Sequence, residues 1–161
     1  MFQARINIEE VSSFINKCSP ETKIYIGTDS ERFRIDGAWH VDYISVVIVH
    51  IDGKHGCKIF GAVDRERDYG TQANKPKMRL MGEVYRAADL YLALSKEIAH
   101  DIEVHLDLSP EPQNGSNVAV QEAMGYIKGM CGVTPMVKPN APAASYCADQ
   151  FKSFESRRVM A

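Results

Sequence analysis

Four carboxylates fall at places where a folded α/β chain could gather them. Asp29 ends the apolar run of "YIGTDSE", and Asp107 stands at the same place in "VHLDLS". Glu83 lies inside the long periodic stretch "MRLMGEVYRAADLYLAL", and Asp149 lies near the end of "ASYCADQF". A carboxylate that follows a buried strand without an intervening turn either reaches water there or needs a partner, because an unpaired buried charge is costly. Two carboxylates at one sheet edge repel each other, and such a pair normally needs a cation. Four of them could hold two Mg²⁺ or Mn²⁺ ions, hard cations that take oxygen ligands. Two such ions about 4 Å apart promote phosphodiester hydrolysis without a protein nucleophile. The chain fits that chemistry, since it carries neither a GxSxG nucleophile elbow nor a P-loop.

The elements that would position these acids are legible as a series. Asn7 can cap a helix over residues 7–18, where Ile8, Val11, Phe14, Ile15 and Cys18 recur at helical spacing. Residues 23–33 read as a first strand. Asp36-Gly37 signals a hairpin, and "HVDYISVVIVHI" is a second strand, apolar on both faces and therefore central. After the turn "IDGKHG" comes a third strand, "CKIFGAV". Pro76 can open a helix that runs to about residue 100. A fourth strand follows at 102–110, a helix at 117–131 stopped by Gly132, a short fifth strand in "TPMVKPN", and a last helix from Asn140 to about Phe154. The helix between the third and fourth strands implies a crossover, which lays strand four parallel to strand one and beside it. Asp29 and Asp107 then meet at equivalent strand ends, where open α/β sheets place their sites. Helices would cover both faces of the mixed sheet.

Glu83 sits at the edge of the stripe made by Leu80, Ala87, Leu90 and Leu94, with Arg79, Arg86 and Asp89 on the polar arc. Either an inward ligand or a snorkelling border residue fits that position. Asp149 lies off the core stripe of Ala144, Cys147, Ala148 and Phe151, and suits either a surface acid or a fourth ligand.

Bulk properties narrow the field. With 161 residues, 45% hydrophobic and 25% charged, the chain suits one globular domain, 1–161. No apolar run could span a membrane, and "MFQARINIEE" lacks a signal-peptide pattern, so a cytoplasmic protein is expected. Cys18, Cys57, Cys131 and Cys147 form no CxxC pair and are expected to be reduced and mostly buried. His50 and His55 flank a turn and suit a hairpin better than a metal site. The net charge of −2 argues against a general nucleic-acid coat. A local basic stretch from Arg65 to Arg79 carries five basic residues against two acidic ones, and could be a phosphate-binding or simply a solvated loop.

The stretches "YIGTDSE", "MRLMGEVYRAADLYLAL", "VHLDLSPEPQNGSN" and "VKPNAPAASYCADQF" resemble the YkuK family of RNase H-like proteins, over nearly the whole chain. Its most specific parts are "IGTDS", "VHLDLSP" and "KPNAPAASYCAD". The resemblance implies a five-stranded sheet of order 3-2-1-4-5 with strand two antiparallel. It also implies that Asp29, Glu83, Asp107 and Asp149 are the metal-binding, catalytic acids. Some RNase H proteins carry the helix acid where this chain has Arg79, and Glu83 comes one turn later.

The expected activity is therefore a two-metal nuclease, acting on RNA in an RNA–DNA hybrid or on structured DNA, with Ser30, Lys75, Lys77 and Lys138 as candidate substrate contacts. Two other readings stand beside it. Asp29 and Glu31 give the D-x-E of 3′–5′ exonucleases, with Tyr146 and Asp149 as a Y-x-x-D pair one residue short of the usual spacing. An RNase H-like scaffold without catalysis, binding protein or nucleic acid, is the third, since a fold does not fix a function.

Overall fold

The computed structural model describes residues 5–69, 75–108 and 117–141. The elements in chain order are α1 (Ile8–Asn16), β1 (Lys23–Ile35), β2 (Ala38–His50), a 3₁₀ turn (Ile51–Gly53), β3 (Cys57–Arg67), α2 (Lys75–Ser95), β4 (Ile102–Leu106) and α3 (Asn117–Cys131). Asn7 caps α1 as its residue type predicts: its Oδ1 accepts from the Glu10 N–H at 3.1 Å. The β1–β2 hairpin turns on Asp36 and Gly37, both at positive φ (49° and 80°), the two-residue turn whose twist matches the flanking strands.

The sheet is mixed, with the order β3-β2-β1-β4. β1 pairs antiparallel with β2 and parallel with β4. β2 is central, as expected. Val47 and Val49 join the main core while Ile44, Val46 and Ile48 form a second cluster with Tyr25 and Val63. The main core brings Ile24, Ile26, Val104 and Leu106 of the sheet against Val84, Ala88 and Leu94 of α2, Ile127 of α3, and Val11 and Ile15 of α1. All three described helices thus share one core. Of the last helix, expected from Asn140 to about Phe154, residues 142 onward lie outside the described residues. Among the described residues no helix is long and apolar enough to cross a membrane.

Several expectations need correction. The described sheet has four strands, not five. Where the fifth was expected there is one parallel bridge, His105 to Met136, with Leu106 N–H donating to Met136 O at 2.9 Å and Met136 N–H to Val104 O at 2.8 Å. Beyond that bridge the Lys138 N–H goes to Leu108 O at 2.9 Å and not to Leu106 O, where a continuing parallel ladder would take it. β4 stops at Leu106 rather than 110. α2 ends at Ser95 rather than near 100. Beyond it Glu97 O accepts from Asn16 Nδ2 at 3.0 Å and the His100 ring meets Ser19 O at 2.9 Å. Bonds to the α1 region therefore replace the last helical turns.

The basic loop from Arg65 to Arg79 is not one loop. Arg65 and Arg67 belong to β3, which continues because Arg65 forms a forked pair with buried Asp42 on β2, at 2.8 and 3.1 Å. Arg79 belongs to α2. Three cysteines are free thiols, but they are less buried than expected: Cys57 is exposed, Cys18 and Cys131 are half-buried, and Cys147 lies outside the described residues.

One contact decides how closely α2 lies on the sheet. A Cβ at Gly82 would stand 2.5 Å from the Tyr43 hydroxyl and 2.7–2.8 Å from its ring. Tyr43 is held from the other side by the Arg86 guanidinium, 3.7 Å above the ring. Gly82→Ala should therefore cost about 1–3 kcal/mol, the usual price of overpacking, read as a lower urea midpoint. An unchanged midpoint would mean that the Tyr43 ring is free to swing away.

Candidate metal centre

The site is built where β1 and β4 leave the core. The last parallel rung pairs Thr28 with Leu106, so the next residues, Asp29 and Asp107, stand at equivalent positions on adjacent strands. This juxtaposition follows from the crossover through α2. The following residue, Ser30, donates its hydroxyl to Glu83 Oε2 at 2.9 Å, which ties the α2 acid to β1. The Ser30 backbone N–H donates to Asp29 Oδ1 at 2.8 Å and orients that carboxylate. Asp107 accepts at Oδ1 from Lys138 Nζ at 2.8 Å.

Glu83 is the most constrained of the acids. It is only 3% exposed. Burial pushes its pKa well above the ordinary carboxylate value. The negative charges of Asp29 and Asp107 push the same way, against the Ser30 hydrogen bond and the more weakly felt charge of Arg79. The edge-of-stripe position read from the sequence thus resolves to a buried side chain. Lys138 feels the same field: its pKa is raised first by its bond to Asp107, with Asp29 and Glu83 adding to the effect and its own partial burial opposing it.

The other candidates divide. Lys77 is ion-paired with Glu122 on α3. Lys75 opens α2 and lies within the described backbone, though its side chain lies outside the described set. Asp149 and Tyr146 lie outside the described residues. Glu31, which the exonuclease reading requires, is exposed.

Arg79 is the residue that sequence reasoning undervalued. It appeared as a mismatch on a polar arc, yet it acts on Glu83, and its Nε is buried without a hydrogen-bond partner among the described residues. The i, i+4 spacing of Arg79 and Glu83 on one helix was the available signal. Arg86, assigned to the same arc, instead holds Asp64 and Glu66 of β3, each at 2.7 Å.

The donor set suits a hard divalent cation. Carboxylate oxygens are its preferred ligands, and a cation would relieve the repulsion concentrated on Glu83. Among the described residues, however, no three His, Cys, Asp or Glu side chains are grouped closely enough to hold an ion as they stand. Among the described residues, a cation already stands at Asp107: Lys138.

A family model described as ribonuclease H-like matches residues 7–153. No curated protein and no solved structure matches.

Proposed function

The chain belongs to the ribonuclease H-like family, and from that premise we propose that it hydrolyses phosphodiester bonds of nucleic acid with two Mg²⁺ or Mn²⁺ ions at Asp29, Glu83, Asp107 and Asp149. The observation that carries this reading is the burial of Glu83 under the combined repulsion of Asp29 and Asp107. Such an arrangement is costly for folding alone and serves a bound cation. When bound, divalent ions supply Lewis-acid stabilisation of the charge that develops on a phosphate. Asp29 and Asp107 would hold them from adjacent strands, with Ser30 fixing the Glu83 carboxylate. Lys138 and Lys75 would steer the phosphate backbone, and the net charge of −2 confines that attraction to a local patch. The substrate class is RNA in a hybrid with DNA, or structured DNA.

A second reading, a non-catalytic scaffold that binds nucleic acid or protein, draws support from the lysine at Asp107 and from the lack of a three-acid group among the described residues. The two separate in one experiment. Labelled RNA–DNA hybrid, duplex DNA and single strands are incubated with Mg²⁺ or Mn²⁺, with EDTA, and with the Asp29→Asn protein. Cleavage by the parent alone, and only with metal, supports the nuclease. Cleavage that persists in EDTA or in the variant contradicts it.

A further inference from the structure

We infer that Lys138 is the acid site's own counter-cation, and that a divalent ion binds only by displacing it from Asp107. This inference rests on the metal-site reading above and adds a competitor to it. The placement of Lys138 is built rather than incidental. Met136 is stitched into the edge of β4, and the Lys138 N–H then donates to Leu108 O at 2.9 Å. The Asn140 N–H donates to Val137 O at 2.8 Å and turns the chain away. The backbone thus fixes where the lysine stem starts, next to Asp107, the residue that follows β4.

The ammonium takes Asp107 Oδ1 at 2.8 Å, one of the two oxygens that a metal at this strand end could use. Asp29 and Glu83 raise the lysine's pKa as well, though less than its bond to Asp107 does. Its side chain is 47% exposed, which leaves it room to swing into water when the oxygen is claimed. Two cations that compete for one carboxylate are negatively coupled, and the coupling is reciprocal. The lysine would stabilise the acids when metal is scarce, and metal would release an ammonium beside the same site, free to meet a phosphate.

The test is calorimetric titration of the full chain with Mn²⁺ alone, for the parent, Lys138→Met and Lys138→Arg. Met keeps most of the stem and removes the charge, while Arg keeps the charge. Lys138→Met should bind Mn²⁺ about three- to tenfold tighter, the scale of a partly exposed ion pair coupled to a ligand, and Lys138→Arg should stay within about twofold of the parent. Binding first detectable in Lys138→Met would support the same conclusion. Equal or weaker binding in Lys138→Met overturns the inference and leaves the metal site standing. Absence of binding in the parent and in Lys138→Met alike overturns both.

Discussion

Asp29→Asn should remove divalent-cation-dependent cleavage by a factor of about a hundred or more, the scale on which the loss of one electrostatic contact to the reacting group is felt. The substitution deletes a charge and keeps the shape of the side chain. Asp29 is held in β1 by its backbone register opposite Ile44, which an Asn keeps. Its Oδ1 accepts from the Ser30 N–H, and an amide oxygen can accept the same bond, though more weakly. The fold should therefore survive, and the apo protein should be no less stable, because one of the charges pressing on Glu83 is gone. Initial rates under saturating Mg²⁺ and Mn²⁺, read beside urea denaturation of the same preparations, separate the two effects. A variant that is folded and still fully active would place the chemistry elsewhere.

Glu83→Gln should uncouple stability from pH. The folded-state pKa of Glu83 is raised above its unfolded value. The stabilisation linked to its protonated form is therefore fully present below the ordinary glutamate pKa and is lost as pH rises through the higher folded value. The parent without metal should lose stability over that interval as the buried carboxyl is forced to ionise. Glutamine cannot ionise, and its amide oxygen can still accept from the Ser30 hydroxyl. The variant should hold its stability there and exceed the parent on the alkaline side by about 1 kcal/mol or more, the cost of leaving a buried polar group poorly solvated. Mn²⁺ should reverse the order, raising the melting temperature of the parent more than that of the variant, since a ligand stabilises the state that binds it. Urea midpoints across the pH range, with and without Mn²⁺, check both halves. Identical profiles for the two proteins would make Glu83 a bystander.

What could be read in advance follows from which forces are local. Asp36-Gly37 and Asn7 act within a few residues, so the hairpin and the first cap were legible. Asp29 beside Asp107 was legible because a crossover fixes which strands are neighbours. Glu83 was legible only as a borderline position. Its burial depends on Gly82, which lets α2 lie against Tyr43, a contact between residues 39 positions apart. The fifth strand failed because β-branched and apolar residues in "TPMVKPN" suggest a strand, while its pairing is settled by hydrogen bonds to distant Val104, Leu106 and Leu108, which give one bridge and no ladder. Arg65 looked like a loop residue because its partner Asp42 lies on another strand. The Lys138–Asp107 pair had no local signature at all, since it joins two segments that meet only at the sheet edge.

The most direct test of the account is the anomalous scattering map of a crystal soaked in Mn²⁺. Mn²⁺ peaks are expected at about 2.0–2.4 Å from carboxylate oxygens of Asp29, Glu83 and Asp107, distances typical of hard divalent cations on oxygen, with Lys138 withdrawn from Asp107. Mn²⁺ bound elsewhere, with Lys138 still on Asp107 and Glu83 still bonded only to Ser30, would contradict it.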